Sequence, residues 1–244
     1  LALDIGGTKV AAAVVTEGGA VLVGDRRPTA GTEGEDLFAS VIDLLTSVRA
    51  AAVDHGVEPA ALVSLGVGCG GPMTLGGAVV SPLNIDQWQG FPLRSRLSEH
   101  FELPTFVDND AKALALGEGW IGAARGVSNY LAMVVSTGVG GGIVLDGRLL
   151  DGTAGNAGHI GHVIVDPLGR RCVCGATGCL EAQVSGTAIA AATGRPAAQA
   201  TAAERVVAGR AVEGARQPCE RHHRLAVLHP ALHRAVVEAQ RERG

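Results

Sequence analysis

Two glycine-rich turns, each set between short apolar segments, constrain most strongly how this chain folds. The first is "DIGGTK" at residues 4–9, and the second lies in "STGVGGG" at residues 136–142. Because apolar, strand-like runs flank both, each predicts a β-hairpin whose turn is built from glycine. A helical periodicity at residues 35–55 follows the first hairpin. Together these patterns predict an α/β protein.

The order of strands, helix and strand recurs on either side of residue 108, which predicts two lobes with a cleft between them. We expect an N-terminal lobe at residues 1–108 and a second lobe at 109–194. Residues 195–244 are different, since six arginines and four histidines fall within 215–244 and no strand pattern or glycine loop follows. This segment predicts an atypical helical or disordered tail.

Charge and composition exclude several classes of partner. The 244 residues carry a formal net charge of −4, which gives no basic surface for nucleic acid or an anionic membrane. No apolar run approaches the length of a membrane span. Because no signal peptide pattern opens the chain, we expect free thiols and a cytoplasmic location.

The first turn offers groups that suit a nucleotide phosphate. Backbone N–H groups of Gly6, Gly7 and Thr8 could point at phosphate oxygens, because the two glycines have no Cβ to block the approach. Asp4 could hold the Mg²⁺ that accompanies a nucleotide, and Lys9 adds a cation nearby. The alternative is an ordinary type I′ hairpin turn, in which Gly-Gly is common.

The second turn repeats this chemistry. Thr137 and Gly138 begin a stretch of exposed amides and a hydroxyl, for which a plain glycine-rich turn is again the alternative. One turn in each lobe favours a single nucleotide bound between them.

A pair of polar residues marks the junction of a strand and a helix within "VDNDAKALALGE" at residues 107–118. Asp110 has two interpretations that remain open at this point. It is a favoured N-cap residue, or it is a general base that takes a proton from a hydroxyl attacking a γ-phosphoryl group. Asn109 lies beside it.

Three of the five cysteines cluster in "CVCGATGCLE" at residues 172–181. Cys172, Cys174 and Cys179 follow His162, and a redox pair would need a C-x-x-C spacing that is absent here. Three thiols and one imidazole match a closed, structural Zn²⁺ site. His159 is an alternative zinc ligand, a sugar contact or a polar loop residue, and Glu181 is placed where the knuckle could present it to the cleft.

Five motifs occur together: "DIGGTK", "DNDAKALALGE", "STGVGGG", "GHIGH" and "CVCGATGCLE". In this order, over residues 1 to about 190, they resemble the ROK family of sugar kinases and sugar-responsive repressors. The resemblance implies a two-lobed, actin-like ATPase (ribonuclease H-like) fold with a zinc knuckle in the second lobe. It also implies phosphorylation of a hexose by Mg-ATP, and a homodimer.

The resemblance assigns roles to single residues. It implies that Asp110 is the catalytic base, that Asn84, Asn109 and Glu181 bind sugar hydroxyls, and that His162 is both zinc ligand and sugar contact. The two glycine turns are similar to the family's phosphate loops. The family has glutamate where this chain has His159, which bears on the identity of the sugar because imidazole and carboxylate differ in donor capacity.

Glucose is the substrate that the resemblance favours, with N-acetylglucosamine, N-acetylmannosamine, fructose and allose as alternatives. Two other functions remain open. One is the sugar-sensing effector domain of a repressor whose DNA-binding part would precede Leu1. The other is an inactive kinase, truncated or frame-shifted after about Gly209, in which the adenosine side of the cleft is missing.

Overall fold

A computed structural model describes residues 1–29 and 33–201, together with the backbone of a strand at 225–228. Its strands are β1 (Ala2–Ile5), β2 (Lys9–Val15), β3 (Val21–Pro28), β4 (Leu65–Cys69), β5 (Thr105–Asn109), β6 (Tyr130–Val135), β7 (Val139–Leu145), β8 (Arg148–Leu149) and β9 (Leu225–Leu228). Its helices are α1 (Gly34–Asp54), α2 (Leu93–Phe101), α3 (Asp110–Trp120), α4 (Leu180–Val184) and α5 (Gly186–Thr193). The α/β class expected from the sequence is confirmed.

The first sheet has the strand order β3-β2-β1-β4-β5 and carries the larger core. Helix α1 covers one face of it, and the predicted periodicity is correct to within one residue at each end. The residues of α1 that are almost fully buried are Leu37, Phe38, Val41, Leu44, Leu45, Val48 and Ala52. Burial of this apolar stripe stabilises the helix on the sheet, at about 25 cal/mol for each Å² removed from water.

Three parallel strands of this sheet end at one edge. Ile5 at the end of β1 pairs with Cys69 at the end of β4, and Cys69 pairs with Asn109 at the end of β5. The segments that follow these strands therefore leave the sheet side by side. Ligands of α/β sheets bind at such carboxyl edges, so the topology gathers the first glycine turn and Asp110 in one place.

The second sheet has the order β8-β7-β6-β9, and helix α3 packs against strands of both sheets. Its contact with β7 is made close by glycine. A Cβ on Gly140 would lie 2.7 Å from Cβ of Ala111, and one on Gly142 would lie 2.5 Å from Cβ of Ala115. Because Asp110 is the first residue of α3, this contact fixes the position of its carboxylate.

The sequence-based expectation for the second turn was wrong in one respect. The turn comprises only residues 136–138, closed by the Ser136 N–H donating to the carbonyl of Gly138 at 2.9 Å. The three following glycines lie inside β7, where Gly140 and Gly142 face α3 and Gly141 faces Ile160. The type I′ alternative for the first turn was also wrong, because that turn needs positive φ at both central residues and neither Gly6 nor Gly7 has it.

The tail also departs from its prediction. Residues 225–228, "LAVL", form β9, which pairs in parallel with β6, whereas the sequence analysis expected no strand there. A four-residue apolar run is too short to be distinguished by periodicity alone. Residues 202–224 and 229–244, on which the rest of the tail prediction falls, lie outside the described residues. The lobe boundaries remain predictions.

Among the described residues, no helix combines the length and the apolar character needed to cross a bilayer.

Candidate active site and metal centre

Two aspartates lie at the carboxyl edge of the first sheet. Asp4 in β1 pairs with Gly68 of β4, and the backbone of Asp110 lies 3.4 Å from where a Gly68 Cβ would project. Both aspartate side chains are accessible to solvent. The two carboxylates are nevertheless close enough for Asp110 to act electrostatically on Asp4. An open site with paired carboxylates suits a metal-nucleotide substrate and a proton transfer.

The surroundings disfavour ionisation of both carboxyl groups. Desolvation by the surrounding protein raises the pKa of Asp4, and the charge of Asp110 adds to this, while Lys9 opposes it. Desolvation likewise raises the pKa of Asp110 above its ordinary value, opposed by the backbone N–H of Ala111 and by His159. A raised pKa is what general-base catalysis near neutral pH requires of an aspartate.

Asn84 fills the space beside the first turn. A Cβ on Gly7 would lie 2.8 Å from both Cβ and the backbone oxygen of Asn84. The amide Oδ1 of Asn84 lies 3.1 Å from where a Gly70 Cβ would project. The glycine at position 7 is therefore required by the close approach of Asn84, and Asn84 joins the first turn to the loop after β4.

Asn109, rather than Asp110, is the N-cap of helix α3. Oδ1 of Asn109 accepts a hydrogen bond from the N–H of Ala111 at 3.1 Å, and Asp110 is already the first helical residue. Oδ1 of Asp110 accepts from the same N–H at 2.8 Å. The cap interpretation of Asp110 is thus corrected by one residue, and the shared N–H holds both side chains at the start of the helix.

His159 belongs to the same cluster. Its ring lies 3.5 Å from where a Gly71 Cβ would project, and Nδ2 of Asn109 lies 3.8 Å from that point. Desolvation, together with His162 and Lys112, lowers the pKa of His159, which favours the neutral imidazole, while Asp110 opposes the shift. A neutral imidazole both donates and accepts, as does a sugar hydroxyl.

Glu181 lies against the second turn. Its Oε2 accepts a hydrogen bond from the N–H of Val139 at 2.8 Å, and a Cβ on Gly138 would lie 2.5 Å from the same oxygen. Its Oε1 lies 3.9 Å from Sγ of Cys172. Glu181 therefore connects the turn that contains Thr137 to the cysteine cluster, a connection that sequence spacing alone does not reveal.

The cysteine and histidine cluster has the geometry of a metal site. Ligand atoms of His162, Cys172, Cys174 and Cys179 lie within 4.8 Å of one another. Sγ of Cys174 and Cys179 are 3.7 Å apart, as are Sγ of Cys172 and Nδ1 of His162. Tetrahedral Zn²⁺ with Zn–S bonds of about 2.3 Å requires S–S separations of about 3.8 Å, so this set fits zinc.

The predicted site residues thus form two groups. One lies at the carboxyl edge of the first sheet, and the other consists of the second turn, Glu181 and the cysteine cluster. The segment that begins at His159 and includes the 3₁₀ turn Ile160–His162 joins them, and the rings of His159 and His162 are 6.4 Å apart.

Sequence reasoning missed Lys112. Only 2% of its side chain is exposed, and Nζ forms ion pairs with Asp108 at 2.9 Å and with Asp151 at 2.5 Å. The spacing of Asp108 and Lys112, four residues apart, was the one available signal. That spacing usually indicates a solvent-exposed pair, and the burial depends on a loop 39 residues later.

The ROK family profile matches residues 1–229 of the sequence. The chain belongs to the ROK family. The match runs further than the five motifs, the last of which ends at residue 181.

Individual relatives are sugar kinases. The chain is 42% identical over 193 residues to an N-acetylmannosamine kinase of Yersinia pseudotuberculosis, covering 79% of this chain and 63% of that protein. It is 40% identical over 190 residues to a glucokinase of Halalkalibacterium halodurans, covering 77% of this chain and 57% of that protein. The chain thus spans about three fifths of the length of these relatives.

Solved structures of the family are similar in fold. A ROK glucokinase from Streptomyces griseus in complex with glucose and AMPPNP gives a TM-score of 0.68 at 34% identity, over 78% of this chain and 58% of that chain. A ROK family transcriptional regulator, a homologue of the E. coli MLC protein, gives 0.66 at 29% identity, over 77% of this chain and 46% of that chain. The actin-like fold expected from the motifs is confirmed.

Proposed function

We propose that this protein is an ATP-dependent hexose kinase in which Asp110 is the general base. The observation that carries the proposal is the position of Asp110, which lies beside Asp4 and the first glycine turn. Its carboxyl group is partly desolvated by neighbouring protein atoms but still accessible to a ligand. The similarity to kinases of two different sugars supports the reaction class more strongly than it supports any one sugar.

In the proposed reaction, the Asp110 carboxylate accepts the proton of a sugar hydroxyl as its oxygen attacks the γ-phosphorus of ATP. The bond from phosphorus to the β–γ bridging oxygen breaks, and ADP leaves. Asn84, Asn109, His159, His162 and Glu181 orient the sugar. The amides of the two turns, Gly6 to Thr8 and Thr137 to Gly138, hold the phosphates, and Lys9 adds positive charge.

Mg²⁺ bound near Asp4 would neutralise phosphate charge as it develops. Asp4 offers the oxygen ligand that Mg²⁺ prefers. The pKa of its carboxyl group is raised in the free protein, and a cation nearby would favour the ionised form and lower that pKa.

We further propose that His162, Cys172, Cys174 and Cys179 hold a structural Zn²⁺. All four donors are protein atoms, which is typical of a closed site without an open position for catalysis. Three thiolate ligands need a reducing compartment, so a cytoplasmic location belongs to the same proposal. We take a homodimer as the working oligomeric state.

The test is sugar-dependent release of ADP from Mg-ATP by the 244-residue chain, with glucose, N-acetylmannosamine, N-acetylglucosamine, fructose and allose compared. Release with one sugar that is lost in Asp110→Asn, and kept in Asp43→Asn, identifies a kinase and its substrate. Asp43 is an exposed residue of α1 and serves as the matched control. Absence of release with every sugar contradicts the proposal.

A second candidate function is sugar sensing without catalysis, which the similarity to the transcriptional regulator favours. A sensor would bind sugar without releasing ADP. Asp110→Asn would change its affinity for the sugar only through the loss of one contact. Calorimetric titration with the same five sugars separates the two functions. An inactive kinase would resemble the sensor in this comparison.

A further inference from the structure

Lys112 is a buried charge for which the proposed reaction has no use. It lies on α3, two residues after Asp110, on a helix whose other buried residues include Ala111 and Ala115. Burial of an ammonium group is unfavourable unless the charge is paired. Burial acts to lower the pKa of Lys112, but hydrogen bonds to Asp151 and Asp108 outweigh it and keep the pKa above the ordinary value.

Each aspartate in this ion triad belongs to a different part of the site. Asp108 lies in β5, and its Oδ1 also accepts a hydrogen bond at 2.7 Å from the N–H of Asn109, the residue that caps α3. Asp151 follows β8 and begins a loop, residues 151–158, that leads directly into His159. The ammonium group of Lys112 is therefore the bridge between the Asn109–Asp110 corner and that loop.

Contacts within the loop and at its far end shape the 151–158 segment. The N–H of Ala157 donates to the carbonyl of Asp151 at 3.0 Å, which closes the loop on itself. At its far end, a Cβ on Gly158 would lie 2.5 Å from the carbonyl oxygen of Gly141 in β7. One end is thus packed on the second sheet, whereas Asp151, with half of its side chain exposed, is held by Lys112.

We propose that Lys112 is a positioning residue of the sugar site, which holds the 151–158 loop, and through it His159, against the corner formed by Asn109 and Asp110. This inference rests on the proposed function. It adds that the distance between the residues that orient the sugar and the catalytic base is set by an ion triad that contacts neither sugar nor nucleotide.

Loss of Lys112 should affect the geometry of the site and the free energy of unfolding to different extents. Asp108 and Asp151 are 34% and 50% exposed, so water can solvate both carboxylates once the lysine is removed. The two like charges then repel each other, and the loop moves away from the corner. Loss of the bridge therefore changes the geometry of the site more than it changes the free energy of unfolding.

The experiment compares steady-state kinetics of the wild-type chain, Lys112→Met and Asp151→Asn with the sugar that the wild type accepts. Lys112→Met leaves Asp108 and Asp151 to repel each other, and Asp151→Asn removes the charge by which Lys112 holds the loop. We expect KM for the sugar to rise by about tenfold in both variants, because a small displacement of orienting groups weakens binding and reaction. KM for ATP is expected to stay within about twofold, as the nucleotide turns lie on other elements. Lys112→Arg should recover part of the loss, since it keeps the charge.

The matched control is Arg96→Met, which removes the cation of the exposed Glu35–Arg96 bridge on the first lobe, 2.6 Å in length. It should leave KM for the sugar unchanged. Thermal melting of each variant shows whether it folds, and Asp151→Asn, a substitution at a half-exposed position, keeps the test decisive if Lys112→Met does not fold.

Three outcomes contradict the inference. An unchanged KM for the sugar in a folded Asp151→Asn variant of an active enzyme overturns it alone. An equal rise of the KM values for sugar and ATP shows a general structural role instead. A wild-type chain that neither turns over nor binds any of the five sugars overturns the proposed function, and the inference with it.

Discussion

The surroundings of Asp110 oppose the ionised state that its proposed role requires. The proposed reaction needs its carboxylate ionised, while the surrounding protein disfavours the charge and raises the pKa of Asp110. Residues of this kind reduce stability in the state in which they are active. The proposed catalytic role of Asp110 and its effect on stability can therefore be measured separately.

Replacement of Asp110 by asparagine should lower kcat by about 10²- to 10⁴-fold, the usual contribution of a general base. The same variant should melt at a higher temperature than the wild type at pH 8. A carboxyl group whose pKa is raised in the folded state stabilises the protein while it is protonated, and this contribution is lost as the pH rises through that pKa. Asparagine does not ionise, so the variant does not lose stability in this way. Near pH 3 the two melting temperatures should converge.

Asp43→Asn is the control for both measurements, since it removes an exposed carboxylate from α1. A lower melting temperature of Asp110→Asn at pH 8 would argue against desolvation as the cause of the raised pKa.

The pH profile gives a second prediction for the same residue. The base must be ionised, so kcat/KM should fall on the acid side with an apparent pKa above 3.8, the ordinary aspartate value from which Asp110 is shifted upward. Rates in overlapping buffers between pH 4 and pH 9 measure this limb. An acid limb at or below 3.8 would exclude Asp110 as a desolvated base.

At the scale of elements, the contact between α3 and β7 determines where the helix that begins with Asp110 lies. Gly142→Ala would introduce a Cβ 2.5 Å from Cβ of Ala115, so helix and strand must separate. We expect a loss of about 1–3 kcal/mol in the free energy of unfolding, together with reduced kcat because Asp110 moves with the helix. Denaturant titration and the kinase assay measure the two effects.

The matched control is Gly66→Ala in β4, where an added Cβ has no heavy atom within 4 Å and φ is not positive. This change should be neutral or stabilising by about 0.5–1 kcal/mol, because glycine loses more backbone entropy on folding than alanine. Equal destabilisation by both substitutions would show that the loss comes from strand propensity and not from the helix contact.

These elements also show what the sequence reveals and what it conceals. The period of Leu37, Val41 and Leu44 is local information, so α1 could be predicted to within one residue. The purpose of Gly140 and Gly142 could not, because the atoms that exclude a side chain there belong to Ala111 and Ala115 on another element. Local composition identifies a glycine as necessary, but only the tertiary contact identifies the reason.

The candidate site divides in the same way. The residue types of Asp110 and the cysteine cluster indicate their chemistry, and both could be predicted because they lie in motifs of the family. The burial of Lys112 and the hydrogen bond from Val139 to Glu181 depend on contacts 39 and 42 residues away in sequence, for which no local pattern exists.

At the scale of the whole molecule, the cluster of His162 and three cysteines joins the segment after His159 to helix α4, and so joins the two groups of site residues. We predict about one Zn²⁺ per chain by elemental analysis. Removal of the metal by a chelator, or the substitution Cys174→Ser, should lower the free energy of unfolding by at least about 1 kcal/mol. For a chain of this size, that corresponds to a fall in Tm of about 2–4 °C.

Cys69→Ala is the control for metal content. Cys69 is buried in the first sheet, and desolvation together with Asp110 and Asp4 raises the pKa of its thiol to about 12, so it stays protonated and does not bind metal. The zinc content of the Cys69→Ala variant should equal that of the wild type. Full retention of zinc in Cys174→Ser would contradict the four-ligand site.

The three consecutive glycines of β7, residues 140–142, limit how the sequence of this chain can change. Not one methyl group can be added at positions 140 to 142 without a heavy-atom approach of 2.7 Å or less. In a saturation library selected for growth on the sugar, this tripeptide should tolerate as few replacements as Asp110 itself. A stretch without a single reactive atom would then look catalytic to any survey of tolerated mutations, although its glycines act by letting helix α3 and Ile160 come close to β7.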